Sequence, residues 1–381
     1  MRKQKKWRTG ILMRTLILSC NTGEGHNSCA KAIKEIYDLH HADCDITDGL
    51  AFVSEKASDF ISWGHTFVYR KLPGLFRWGY SSVEKHPDTL SEDSKVYALF
   101  SKGVERLYQY ICENRYDTVI CVHVFTALMV TELQRRYDLP LKTAFAATDY
   151  TCSPGTKDSL LDVYFIPDTG LREEFICDTI PPEKIVASGI PIRQVFYRKT
   201  ENPKETLGVP SNFGHIVMMG GSMGCGPMDD LVEELGERLE DNQILTVICG
   251  TNENLRQKLE KKCREKKNVR IEGYVKDMPA MLDSADLYLT KPGGLSTTEA
   301  AVKKVPMVLI DAVAGCEAYN LEWFLRSGAA ISGKEVDDLA EIAVALLKDK
   351  VRLDNMRNAY TSFPHGNAAQ IIFDTINNLY K

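Results

Sequence analysis

The stretch His215–Gly226 reads HIVMMGGSMGCG. An apolar run stops in a turn bearing Gly220, Gly221 and Gly224, and a helical pattern, Met228–Leu239, follows. A buried strand feeding a glycine turn and then a helix is the unit from which doubly wound α/β sheets are built. The three glycines let backbone N–H groups approach an anion, and a helix start adds its positive end. Ser222 offers a hydroxyl. No Gly-Lys-Ser/Thr follows, and the spacing is not the dinucleotide fingerprint. A diphosphate fits such a turn; the alternative is an ordinary tight turn.

The same rhythm runs in both directions. Downstream lie the strand patterns Leu245–Cys249, Val269–Glu272, Leu287–Thr290 and Met307–Ile310, with a helical pattern over Asn254–Lys266. Upstream lie Thr15–Ser19, Thr118–Val122, Thr143–Ala147, Val163–Ile166 and Ile185–Ala187. Helical spacing covers His26–Tyr37, Lys95–Asn114 and Ala127–Tyr137. This alternation implies parallel sheets covered on both faces. Pro191, Pro203, Gly208, Pro210 and Gly214 interrupt it, with the charged stretch Arg198–Glu205 among them. That composition marks a boundary near 195–212. The fold class is therefore α/β with two Rossmann-like doubly wound lobes. The expected division is a basic arm at 1–13, a first lobe at 14–197, a second at 198–362 and a C-terminal segment at 363–381. Ligands bind such lobes in the cleft at the carboxyl ends of the strands.

The chain has 381 residues, enough for two cores, and a net charge of −5, which gives no global field for nucleic acid. Its eleven cysteines are odd in number and lack any Cys-x-x-Cys pair; Cys20, Cys121 and Cys249 sit in apolar runs. They read as reduced thiols of a cytoplasmic protein. No apolar run approaches the roughly 18 residues that span a bilayer. Arg2, Lys3, Lys5, Lys6, Arg8 and Arg14 precede the first acid, Glu24. This arm is either an anionic-membrane contact, a solvated tail, or residues preceding a start at Met13.

Three further segments carry candidate chemistry. In Thr290–Glu299 (TKPGGLSTTE) a second glycine turn leads to a self-capping helix start at Ser296–Thr298. Glu299 then falls in the first turn, either complementing the dipole or accepting both hydroxyls of a ribose. In Asn21–His26 (NTGEGH) His26 opens a helix after the first strand. There it can act as a general base or orient a phosphate. Asp149, in ATDY, is either a proton acceptor for an incoming hydroxyl or an Asx-turn residue. Between Phe52 and Lys85 aromatics alternate with basic residues. Helical spacing assigns Ala57–Tyr69 to packing on its own lobe. Pro73, Gly74 and Gly79 expose the rings of Arg70–Tyr80, so that Arg70, Lys71, Leu75, Phe76, Arg77 and Trp78 suit a membrane surface. No His/Cys cluster or Asp-x-Asp suggests a metal, so none is expected, and Arg193 with backbone donors would meet a diphosphate's charge.

Taken in order, GEGH, TDY, SGIPIR (Ser188–Arg193), GGSMG, GYVKDM (Gly273–Met278), TKPGG with Glu299, and Gly315–Asn320 resemble the diacylglycerol glycosyltransferases. That family includes monogalactosyldiacylglycerol synthase and the processive diacylglycerol glucosyltransferases. The resemblance spans about residues 14–380. It implies a GT-B fold whose final helix, near Gly366–Leu379, crosses back to the first lobe. It also implies inverting transfer of a hexose from UDP-glucose or UDP-galactose to diacylglycerol or a glycosyl-diacylglycerol, by a peripheral protein on the inner face of the cell membrane. By resemblance Gly221, Ser222 and Ser296 meet the diphosphate, Arg193 lies by the phosphates, and Glu299 holds the ribose. The Val275 backbone faces the uracil, and Glu317 and Asn320 lie near the donor sugar. His26 and Asp149 are the catalytic pair at the acceptor. Two positions depart from the family pattern. Ala314-Gly315-Cys316-Glu317 replaces Pro-Gly-Gln-Glu, and Cys152-Ser153-Pro154 stands where relatives carry a His. Other readings of the same residues are a UDP-N-acetylglucosamine enzyme (2-epimerase or lipid-precursor transferase) and a non-catalytic UDP-sugar-binding regulator.

Overall fold

The computed structural model describes residues 13–21, 24–54, 94–310, 315–363 and 366–379. Residues 1–12 of the basic arm and the expected membrane segment with Arg70, Lys71, Leu75, Phe76, Arg77 and Trp78 lie outside the described residues. The first sheet contains β1 (Arg14–Ser19), β2 (Asp43–Asp48), β3 (Thr118–Cys121), β4 (Lys142–Ala146), β5 (Val163–Ile166) and β6 (Ile185–Ala187). The second contains β7 (Gly214–Met219), β8 (Gln243–Ile248), β9 (Val269–Glu272), β10 (Leu287–Thr290), β11 (Met307–Leu309) and β12 (Ala330–Ser332).

The orders are β2-β1-β3-β4-β5-β6 and β12-β11-β10-β7-β8-β9, and neighbouring strands are parallel throughout. Strand direction of winding reverses between β1 and β3 in one lobe and between β7 and β10 in the other. Helices leave to opposite faces at such a point and open a crevice. The turns after β1, β3, β7 and β10 therefore form the two binding edges. Central strands are apolar on both sides, as parallel sheets require: Leu16, Ile17 and Leu18 of β1 and Ile216, Val217 and Met218 of β7 are fully buried.

Two strands escaped the sequence reading, β2 and β12, and both are sheet edges. β2 reads DCDITD, with acids where a central strand has apolar side chains, and β12 has only 3 residues. The helix expected over Lys95–Asn114 is two helices, Lys95–Ser101 and Val104–Asn114. They break at Gly103, where a Cβ would stand 2.9 Å from the Phe52 backbone and Met129 Cε. Glycine is needed there for close approach.

The lobes share a core. Tyr150, Ile190, Ile192 and Phe196 pack in one cluster with Ala300, Val305, Phe324, Tyr360 and Phe363. The C-terminal helix, Ala368–Asn378, lies on the first helix, Glu24–Leu39: Ile372, Phe373 and Ile376 join Ile33, Ile36 and Tyr37. The segment following the second sheet thus returns to the first. All eleven cysteines are free. Among the described residues no helix is long and apolar enough to cross a membrane.

Candidate active site

The turn after β7 is held from within and from behind. Cys225 N–H donates to the Gly220 carbonyl (2.8 Å) and Gly224 N–H to Gly221 (3.1 Å). Behind it lies a turn that the sequence reading passed over, Cys249–Asn252. Thr251 N–H donates to the Ser222 carbonyl, and the Asn252 amide to that of Gly224. A Cβ on Gly250 would stand 2.2 Å from the Ser222 carbonyl. Gly221 sits at φ +73° with open space where a Cβ would be. The N–H groups of Gly221, Ser222 and Met223 donate to no protein acceptor among the described residues, and Ser222 keeps a free hydroxyl. Consecutive uncommitted N–H groups make an anion nest. The following helix, Met228–Arg238, starts with Asp229 and Asp230, which oppose its positive end. The nest is therefore the candidate anion contact here, beside a helix end whose first turn is acidic.

The turn after β10 differs from its expected form. The helix begins at Gly294, not at Ser296, so Glu299 stands in its second turn and does not cap the dipole. Ser296 Oγ donates back to the Gly293 carbonyl (3.2 Å). Glu299 is half-buried and its carboxyl has no hydrogen-bond partner among the described residues. Burial pushes it up to about 7, against the pull of the Arg193 guanidinium. Arg193 is itself half-buried and stacks over Phe196 (5.2 Å). An unpaired carboxyl and a nearby guanidinium are complementary to a ribose and a phosphate. Lys291, in the same turn, was missed in the sequence. It is buried just past the end of β10, 3.6 Å from Glu317 Oε2, and its sequence signal is a cation directly following the strand LYLT. Val275 is partly buried against the shared core.

In the first lobe, His26 Nδ1 lies 2.8 Å from the Val122 carbonyl. A carbonyl only accepts, so Nδ1 carries the proton and the neutral ring keeps its lone pair on Nε2. Burial holds the imidazole below its usual value, while Asp149 opposes that shift. Thr148 Oγ1 is 3.3 Å from the same Nδ1 and 3.3 Å from Asp149 Oδ2, linking the two predicted residues. His123, at the end of β3 across the switch point, meets His26 edge to face at 4.6 Å. Thr148 and His123 were not singled out in the sequence; the signal was their place at strand ends flanking the reversal in strand order.

The two sides touch. A Cβ on Gly294 would stand 1.9 Å from the Thr148 carbonyl and 3.1 Å from Asp149 Oδ1. Gly25 faces Leu295. Asn320 is fully buried with its amide committed to protein. Its Nδ2 donates to Asp149 Oδ1 (2.8 Å) and the Pro292 carbonyl (2.9 Å), and its Oδ1 accepts from Tyr150 N–H (2.6 Å). It offers no free donor to a sugar. The two departures from the family pattern also meet: Ser153 Oγ lies 3.5 Å from Cys316 Sγ. Among the described residues no three His, Cys, Asp or Glu side chains gather as a metal site.

Residues 26–192 match the family described as monogalactosyldiacylglycerol (MGDG) synthase, and residues 228–362 match glycosyl transferases group 1. The processive diacylglycerol beta-glucosyltransferase of Bacillus licheniformis is 26% identical over 366 residues, 95% of this chain and 94% of that one. The chain resembles the diacylglycerol glycosyltransferases along nearly its whole length. A probable chloroplastic monogalactosyldiacylglycerol synthase of Glycine max is 26% identical over 86% of this chain and 64% of its own length. Among solved structures, a UDP-N-acetylglucosamine 2-epimerase of Listeria monocytogenes superimposes with a TM-score of 0.63 at 15% identity, covering 97% of both chains. That likeness shows the two-lobed GT-B fold and no more. The two family matches divide along the two sheets, the first covering β2–β6 and the second β8–β12.

Proposed function

We propose that the protein transfers a hexose from UDP-glucose or UDP-galactose to diacylglycerol, or to a glycosyl-diacylglycerol, with inversion at the anomeric carbon. The observation that carries this is the neutral His26, held with a lone pair on Nε2 beside the donor lobe's turn. The acceptor hydroxyl oxygen attacks the anomeric carbon, its proton passes to His26, and the bond to the β-phosphate oxygen breaks to release UDP. Asp149, through Thr148, stabilises the imidazolium that forms. The nest at Gly221–Met223 and Arg193 receive the charge growing on the diphosphate, a preorganised arrangement that needs no metal. Glu299 accepts from the ribose, the Val275 backbone meets the uracil, Ser296 supports the phosphates, and Glu317 lies on the donor-sugar side with Lys291.

The test is incubation with labelled UDP-glucose and UDP-galactose plus diacylglycerol vesicles, with and without EDTA. A glycosylated diacylglycerol formed equally in both conditions is expected. Release of free hexose or N-acetylhexosamine chemistry instead would overturn the reading, and loss of turnover restored by Mg²⁺ or Mn²⁺ would overturn the metal-free part.

We further propose docking to the inner, anionic face of the cell membrane through the segment with Leu75, Phe76 and Trp78. Its Arg70, Lys71 and Arg77 would each contribute about 1 kcal/mol at an anionic surface. Vesicle binding is expected to weaken as salt rises, and replacing these three with Ser to weaken anionic-vesicle binding and lipid turnover together, most of all at low salt, with UDP affinity unchanged. Undiminished vesicle flotation of the triple variant would move docking elsewhere, for example to the basic arm.

A further inference from the structure

Asn320 belongs to the donor lobe, on the helix Cys316–Ser327, yet two of its three hydrogen bonds reach the acceptor lobe. One fixes the backbone of Tyr150; the other fixes Oδ1 of Asp149. From Asp149 the connection runs through Thr148 to the Nδ1 side of His26, each step 3.3 Å. The third bond anchors Asn320 to Pro292, in the turn that carries Lys291. The first turn of the same helix carries Glu317, which pairs with Lys291. One buried amide therefore joins the donor turn to the group that orients the base.

We infer that Asn320 is a positioning residue, through which contact between the lobes sets the Asp149 carboxylate and, by way of Thr148, the His26 imidazole. The base is then correctly oriented only when the donor lobe is seated against the acceptor lobe. This rests on the proposed roles of His26 and Asp149. A buried amide with every N–H committed is rigid, and the carboxylate it holds cannot rotate without losing a charge-assisted bond. Tyr150 reinforces the seat: its ring meets Phe324 at 4.9 Å and its hydroxyl lies 3.0 Å from Thr298 Oγ1.

The test is a double-mutant cycle of Asn320→Ala and Asp149→Asn in the full chain, read as kcat with diacylglycerol vesicles and as UDP affinity by calorimetry. Asn320→Ala is expected to lower kcat about 100-fold, as a small misplacement of a reacting group does, with UDP affinity unchanged. In the Asp149→Asn background the same substitution should cost no further kcat, because the effect passes through Asp149. A purely structural role would lower stability without that non-additivity. If Asn320→Ala does not fold, Asn320→Asp replaces it, since it keeps the acceptor for Tyr150 N–H and sets a carboxylate against Asp149. Full kcat in the Asn320 variant, or kcat losses that multiply in the double variant, would overturn the inference. Absence of hexose transfer by the wild-type protein in the same assay would overturn the functional reading itself, a separate result.

Discussion

Replacing His26 with Ala is expected to lower kcat by about 10²–10⁴-fold, the contribution of a positioned general base. The ring cannot be supplied by a neighbour. His123 is 4.6 Å away, but its Nδ1 accepts from Phe125 N–H as the cap of its own helix, which fixes its orientation for another task. UDP affinity of the variant is expected to match wild type, because the nest at Gly221–Met223 and Glu299 are on the other lobe. The pH dependence has a definite sign. A base works when neutral, and burial holds this imidazole below the usual histidine value of 6.5. The acid limb of kcat, measured at saturating donor, should therefore fall below pH 6.5. Asp149 raises the imidazole's value. In Asp149→Asn the limb should move still lower while the plateau drops. A limb at higher pH than in wild type would mean that Asp149 is not the group facing the imidazolium.

Much of this was legible in the chain, for a physical reason. Strands buried on both faces must be apolar without alternation, so β1, β3, β7, β8 and β10 stand out as short runs such as LIL and HIVMM. Each ends at a carboxyl edge, where glycine turns and His26, Ser222 and Asp149 collect. What was hidden depends on contacts between distant segments. β2 looks polar because it lies at an edge. The early start of the helix at Gly294 was concealed because Ser296 and Thr297 resemble caps, yet their hydroxyls donate backward to Gly293 and the approach of Thr148 demands glycine at 294. Asn320 is placed near the donor sugar by resemblance alone; only the packed lobes reveal that Asp149, Tyr150 and Pro292 occupy its amide. Lys291 was overlooked because a cation next to an apolar strand reads as an edge until the strand is found in the sheet centre.

The second large effect concerns donor binding and its pH dependence. At pH 8 the Glu299 carboxyl is ionised and can accept from both ribose hydroxyls. Glu299→Gln is then expected to weaken UDP binding by about 1.5–3 kcal/mol, the range for hydrogen bonds to a charged group. In the free protein burial has pushed this carboxyl up to about 7, so at pH 6 it is mostly protonated. Binding must then remove that proton, which costs about 1.4 kcal/mol per pH unit below the titration point. The affinity ratio of wild type to Glu299→Gln should fall about tenfold between pH 8 and pH 6, and taking the ratio cancels titration of the phosphate itself. Stability moves in the opposite sense. A carboxyl whose folded value lies above its unfolded 4.5 contributes stability below pH 4.5 that is lost as pH rises through about 7. Without ligand at pH 8, Glu299→Gln should therefore be more stable than wild type, by at most about 3 kcal/mol and less for a half-buried group. UDP should reverse the order, because only the wild type converts that buried charge into hydrogen bonds. Calorimetry at the two pH values and thermal melting with and without UDP read both signs. A pH-independent affinity ratio would remove Glu299 from the ribose, leaving the carboxyl without a ligand to justify its burial.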